Sequence, residues 1–169
     1  MSETTHRVWR LGADIDTDAL APGHAMKYGI DVIASHCLEA LRPDFASGVR
    51  PGDVVVAGPN FGIGSSREQA AAVLVHLGVA AVIAPSYSGL YFRNAFNVGL
   101  LLLTCAEADS LREGEHIGLD RNTPAVRSAD GRTLACEPVP DFLGEMVEAG
   151  GLLQLLRRRM AAKGPSDAR

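Results

Sequence analysis

The sequence predicts an α/β domain built on a mixed, partly parallel sheet. Three observations predict it. Val54 to Leu103 reads as strand, glycine-rich loop, helix, strand, helix, strand. Strands separated by single helices pair in parallel through right-handed crossovers. Beyond Cys105 the apolar runs shorten and are joined by Gly and Asp/Asn turns, the pattern of short strands. Finally, 169 residues with 47% hydrophobic and 21% charged side chains suffice for one buried core. We expect a single domain over residues 1–169, its core over about 8–158 and a frayed tail over 161–169.

In chain order, Val8 to Leu11 is a short apolar strand, followed by the polar turn Gly12-Ala13-Asp14-Ile15-Asp16-Thr17-Asp18. Asp31 to Ala40 predicts a helix, with Val32, Ile33, Cys37 and Leu41 as its apolar positions, ended by Pro43. After the Pro51-Gly52-Asp53 turn, Val54 to Ala57 is apolar throughout, as a strand covered on both faces must be. A helix over Arg67 to Leu77 puts Ala70, Ala71, Val73, Leu74 and Leu77 on one apolar face, and Gly78 closes it. Ala80 to Ala84 is a strand, Gly89 to Val98 a helix ended by Gly99, and Leu100 to Leu103 a strand. Short strands follow at Glu115 to Leu119, Ala125 to Val126 and Thr133 to Cys136. A helix begins near Pro140-Asp141, Gly150-Gly151 interrupts it, and Leu152 to Met160 forms the last one.

Composition excludes several functions. A net charge of −4 disfavours nucleic acid, whose binders carry a basic excess. The one basic cluster, Arg157-Arg158-Arg159, suits the last turn of a helix. No segment is apolar over a bilayer's thickness, and Met1 to Arg10 lacks a signal-peptide core, so we expect a cytoplasmic protein. Cys37, Cys105 and Cys136 are odd in number and far apart, which suggests neither a disulfide framework nor a metal-binding pair. They read as buried thiols rather than as a complete cluster site.

The chemistry concentrates in Asn60-Phe61-Gly62-Ile63-Gly64-Ser65-Ser66-Arg67-Glu68, between a buried strand and a helix. A helix start offers unpaired N–H groups and a partial positive charge, and glycines let backbone approach a ligand. Arg67 adds a planar fork matched to a carboxylate or phosphate. A serine hydroxyl becomes a strong base only where a positive field stabilises its alkoxide. The segment is neither a dinucleotide fingerprint, since Arg67 stands where a third glycine is needed, nor a Walker loop. On residue chemistry alone a second reading stands level with the first: Ser65 or Ser66 caps the helix, and Arg67 is solvated.

These residues resemble a known family, the small subunit of 3-isopropylmalate dehydratase and its relatives, equivalent to the swivelling domain of aconitase. The resemblance rests on Gly12 to Asp18 with Pro22-Gly23, Asn60 to Glu68, Ala84-Pro85-Ser86-Tyr87, Asn94, Gly99-Leu100-Leu101 and Gly150-Gly151-Leu152. It spans roughly residues 8–158 and implies a swivelling-domain-like β/β/α fold. It further implies a small hydroxy di- or tricarboxylic acid as substrate and a large partner subunit carrying a [4Fe–4S] cluster. In that family the first serine of the loop is the alkoxide base, which falls on Ser65. The next two residues bind substrate carboxylate, which falls on Ser66 and Arg67.

The sequence also departs from the family. Gln69 stands where relatives commonly have His, which leaves the pH behaviour open. The family's specificity segment follows Pro22-Gly23 and here reads His24-Ala25-Met26-Lys27-Tyr28. Isopropylmalate enzymes tend to place an apolar residue near Lys27, homoaconitase-type enzymes an arginine. His24 and Lys27 are therefore substrate-binding candidates, Lys27 for a second anionic arm, beside the plain reading of solvated loop residues. Asp14, Asp16 and Asp18 lack an EF-hand's spacing and are expected to shape the turn or meet the partner. His36, His76 and His116 are isolated in sequence and receive no chemistry. The expected function is thus the small subunit of a hydro-lyase in leucine biosynthesis. The alternatives are a homoaconitase-like or substituted-malate enzyme, or a non-catalytic module that binds an anion or docks a partner.

Overall fold

A computed structural model describes residues 4–120 and 122–163. The strands are β1 (His6–Arg10), β2 (Val54–Val56), β3 (Ala81–Ala84), β4 (Leu102–Thr104), β5 (His116–Asp120), β6 (Ala125–Arg127) and β7 (Thr133–Ala135). The helices are α1 (Thr17–Leu20), α2 (Ile30–Ser35), α3 (Phe45–Gly48), α4 (Gln69–His76), α5 (Gly89–Asn97), α6 (Asp141–Ala149) and α7 (Leu152–Lys163). One sheet runs in the order β4-β3-β2-β1-β5-β6-β7. Its β1 to β4 half is parallel, with Val8 opposite Val54, Val54 opposite Ala81 and Val82 opposite Leu102. From β1 to β5 and onward the pairing is antiparallel. The mixed sheet is the expected one.

Val54, Val55 and Val56 are fully buried because β2 lies between two parallel neighbours with helices covering the sheet. The Glu137 N–H donates to the Thr104 carbonyl at 2.8 Å, so the chain just past β7 meets β4 and the sheet curls on itself. Helix α4 ends as expected: the N–H groups of Gly78 and Val79 bond the carbonyls of Val75 and Leu74, and Gly78 takes φ +85°. That paired closure needs a left-handed residue, which glycine adopts without strain.

Three local expectations are corrected. Helix α2 stops at Ser35, because Leu38 turns left-handed (φ 60°) and sends its N–H to the Ala19 carbonyl at 2.8 Å. Burying Leu38 there outweighs the five further helical residues expected, to Ala40. Helix α4 opens at Gln69 rather than Arg67, since the Arg67 N–H is taken by the Ser65 carbonyl at 2.8 Å. Helix α7 continues through Lys163, so residues 161–163 of the expected tail are helical; residues 164–169 lie outside the described residues. Among the described residues no helix is long and apolar enough to cross a membrane.

Asp53 staples β1 to the turn before β2. One of its oxygens accepts from Arg7 Nη2 (2.7 Å), Arg7 Nε (3.2 Å), Trp9 Nε1 (2.9 Å) and the Arg50 N–H (2.9 Å). Burial raises the Asp53 pKa, but the donors of Arg7, Trp9 and Arg50 outweigh it and hold the carboxyl below 3.8. A lowered folded-state pKa gives stability that is present above the unfolded value and lost as pH falls through the folded one. Asp53→Asn is therefore expected to lose about 1–3 kcal/mol at neutral pH, in urea unfolding. The gap to wild type should narrow as pH falls below the ordinary carboxylate range. A gap that stayed constant with pH would assign the loss to packing instead.

Candidate active site

The site lies where the parallel strands β1, β2 and β3 end, the usual place for ligands on such sheets. Three loops lace together there. The Gly58 N–H donates to the Gly12 carbonyl (3.0 Å), the Asp14 N–H to Pro59 (2.9 Å), the Gly62 N–H to Ile15 (2.7 Å) and the Thr17 N–H to Ile63 (2.8 Å). The third loop joins through Phe61 N–H to the Ser86 carbonyl (3.1 Å) and Ser88 N–H to the Phe61 carbonyl (2.9 Å). Beneath the lacing, Phe61 stands edge-on to Tyr87 and Tyr91, at 6.1 and 5.3 Å between ring centres. Gly62 runs directly over Tyr91: a Cβ at that position would sit 2.1 Å from the ring.

Ser65 and Ser66 emerge from this floor as exposed residues, before α4 rather than capping it. Ser65 Oγ and Thr17 Oγ1 share a hydrogen bond of 3.3 Å, and Thr17 is buried. Asn94 Nδ2 donates to the Ser66 carbonyl at 3.4 Å. Arg67 reaches back: its Nη1 donates to Asp18 Oδ1 (3.0 Å) and to the Ala21 carbonyl (2.8 Å). Among the described residues Nε and Nη2 are left unbonded, and the side chain stays partly exposed. The Arg67 guanidinium, with the Gly23 N–H, holds Asp18 below the ordinary carboxylate range. Arg67 is thus anchored on one side and open along the edge that can grip a carboxylate with two bonds. The expected helix-start cradle is partly spent on the protein itself, since the N–H groups of Arg67 and Ala70 bond loop carbonyls.

The structure brings Ser65, Ser66 and Arg67 together. It puts Lys27 and His24 on the adjoining segment, tied in where the Gly23 N–H donates to Asp18 Oδ1 at 3.0 Å. Among the described residues neither side chain is hydrogen-bonded to the serine loop. Lys27 Nζ lies 5.3 Å from the Tyr28 ring centre, and His24 turns to Glu39. Gln69 is exposed at the start of α4. The three acids shape the turn: Asp14 accepts from Asn60 Nδ2 (2.9 Å), Asp16 caps α1 through the Ala19 N–H (2.7 Å), and Asp18 holds Arg67. Sequence reasoning missed Thr17 as the partner of Ser65 and Asp18 as the anchor of Arg67. Both sat in the singled-out acidic turn, but that pattern says nothing about residues 48 and 49 positions away.

Fold and loop together define an aconitase-type domain. The family model for the aconitase C-terminal domain matches residues 46–108. A 3-isopropylmalate dehydratase small subunit of Archaeoglobus fulgidus is 43% identical over 156 residues, covering 89% of this chain and 95% of that one. A methanogen homoaconitase small subunit from Methanothermobacter thermautotrophicus is 42% identical over 150 residues, covering 87% and 86%. The crystal structure of 3-isopropylmalate dehydratase from Methanocaldococcus jannaschii superposes with a TM-score of 0.90 at 35% identity, over 96% of this chain and 98% of that one. The chain belongs to the 3-isopropylmalate dehydratase small-subunit family, a hydro-lyase family of the aconitase type.

Proposed function

We propose that this chain supplies the base and the carboxylate grip of a two-subunit hydro-lyase, with 3-isopropylmalate as the substrate. The carrying observation is the exposed Ser65 hydroxyl, hydrogen-bonded to buried Thr17 and followed by an Arg67 fork with one open edge. Ser65 as alkoxide removes the proton from the carbon beside a substrate carboxylate. The C–H electron pair becomes the new double bond, and the hydroxyl of the neighbouring carbon departs. Thr17 donates to the Ser65 oxygen and lowers the cost of its charge. Arg67 and the Ser66 hydroxyl hold the carboxylate, so the reacting carbon stays within reach of Ser65. Re-addition of water at the adjacent carbon completes an isomerisation.

We assign the [4Fe–4S] cluster to a large partner subunit, where it supplies Lewis-acid activation of the leaving hydroxyl. The thiols of this chain support that assignment. Cys37 is fully enclosed and burial pushes its pKa up, whereas a cluster needs thiolates. Cys105 and Cys136 lie beside each other, so with Cys37 enclosed only this one pair of thiols is left, fewer than the three a cluster takes.

A second reading, a substrate with an additional carboxylate, is favoured by exposed Lys27 on the segment tied to Asp18. Reconstitution with a cluster-loaded large subunit tests both. Hydration and dehydration are expected on mixing and in neither subunit alone, with kcat/KM highest for the isopropyl substrate. Preference for a tricarboxylate, lost in Lys27→Val, would establish the second reading. Tight carboxylate binding by the isolated chain, with no activity on mixing, would make it a binding module instead.

A further inference from the structure

His24 stands apart from His36 and Glu39 in the sequence, and the fold gathers the three. His24 Nε2 lies 2.7 Å from Glu39 Oε1, and His36 Nδ1 lies 2.6 Å from Glu39 Oε2. The imidazoles meet edge to face with centres 4.8 Å apart. One donor atom from each of the three residues falls within a 4.8 Å span. Two imidazole nitrogens and a carboxylate oxygen are the donors that zinc, cobalt and nickel take in proteins, whereas calcium and magnesium prefer oxygen alone.

The backbone beneath these side chains is fixed by buried neighbours. His24 rides a 3-10 turn (Gly23–Ala25) held by fully buried Ala25 and by the Gly23 bond to Asp18. His36 closes α2, and the Glu39 N–H returns to the His36 carbonyl at 3.2 Å. Leu38 between them is pinned in the core. Much of the ordering entropy that three free side chains would lose on meeting an ion has therefore been spent in folding.

From this geometry we infer that His24, His36 and Glu39 form a binding site for one divalent transition-metal ion of the zinc class. Without an ion, both bonded ring nitrogens donate N–H to the carboxylate. With one, those protons leave or move to the other ring nitrogen, and the three freed lone pairs converge on the metal. A tetrahedral site with bonds of about 2.1 Å sets its donors about 3.4 Å apart, so the contact to whichever Glu39 oxygen binds (2.7 Å from His24 to Oε1, 2.6 Å from His36 to Oε2) opens by under about 1 Å, while the remaining donors, within 4.8 Å, close in. A cavity of about 340 Å³, lined by His24 and Glu39 and by Asp16, Asp18 and Leu41, adjoins the triad and has room for a fourth ligand. Glu39 is held ionised by both histidines, as a ligand must be. An ion here fastens the segment carrying Lys27 to the end of α2.

The test uses untagged full-length chain freed of metal with EDTA, then titrated with zinc chloride alone in a calorimeter at about pH 7.5. One ion per chain is expected, at micromolar affinity or tighter. Cobalt(II) should give the visible bands of a four-coordinate centre. His36→Asn and Glu39→Gln, both at partly exposed side chains and checked by circular dichroism, should each weaken binding at least about tenfold. Cys105→Ser/Cys136→Ser should bind as wild type. Absence of saturable binding up to about 1 mM zinc overturns the inference. So does binding that survives His36→Asn unchanged or that vanishes with the two thiols.

Discussion

Ser65→Ala is expected to lower kcat of the reconstituted enzyme by about 10²- to 10⁴-fold, the usual worth of a positioned general base. KM should move little, because Arg67 and Ser66 remain to hold the carboxylate. The residue is exposed and among the described residues its one side-chain bond, to Thr17, is 3.3 Å long, so the melting curve should overlay wild type within about 0.5 kcal/mol. The combination separates chemistry from scaffolding: an assembled, folded enzyme that binds substrate and fails to release its proton. Exchange of the substrate's carbon-bound hydrogen with solvent deuterium is the direct readout. Undiminished exchange in Ser65→Ala would remove Ser65 from the reaction and shift attention to Ser66.

Gly62→Ala should produce the largest loss of stability of any single methyl added to the loop. Two costs combine there. The residue has φ +83°, where an alanine is strained by roughly 1–3 kcal/mol. Its Cβ would also overlap Tyr91 at 2.1 Å, and that ring is 1% exposed with its hydroxyl donating to the Ala70 carbonyl at 3.1 Å. Tyr91 has nowhere to go, so overpacking adds about 1–3 kcal/mol more. A total near 4 kcal/mol implies a melting point lower by about 8–16 °C for a domain this size, or an insoluble product. Gly144→Ala is the matched control: inside α6 its Cβ would meet nothing within 4 Å, and helix propensity should leave it neutral or slightly stabilised. Tyr91→Leu should recover part of the Gly62→Ala loss. If both alanines behave alike, the close contact under the loop is not what fixes it.

The parts of this molecule that sequence conveys well are those set by neighbours along the chain. Val54-Val55-Val56 and Ala81 to Ala84 announce covered strands, Gly78 and Gly99 mark helix ends, and Ser65-Ser66-Arg67 carries its chemistry as one string. What sequence withholds depends on partners met only after folding. Helix α1 is four residues long and begins on the Asp16 cap inside what reads as an acidic turn. The end of α2 is decided by Leu38 finding the core, a tertiary gain that overrides a sound local helix pattern. The place of β5 beside β1 cannot be read either, since His6 and Arg7 pair with Ile117 and His116 across more than a hundred positions. His36 looked isolated because His24 comes to it and to Glu39 from a separate segment, which only the fold brings near.

Asp18 is asked to do two jobs with one oxygen, receiving both Arg67 Nη1 and the Gly23 N–H. On the roles proposed for Arg67 and for the segment after Gly23, substrate choice and substrate grip share a hinge pin. A chimera in which the segment after Gly23 is grafted from a relative inherits a working enzyme only if the incoming backbone still delivers its amide to that same oxygen. Where it does not, the guanidinium loses its alignment, and the graft reads as a poor catalyst rather than as one of altered taste.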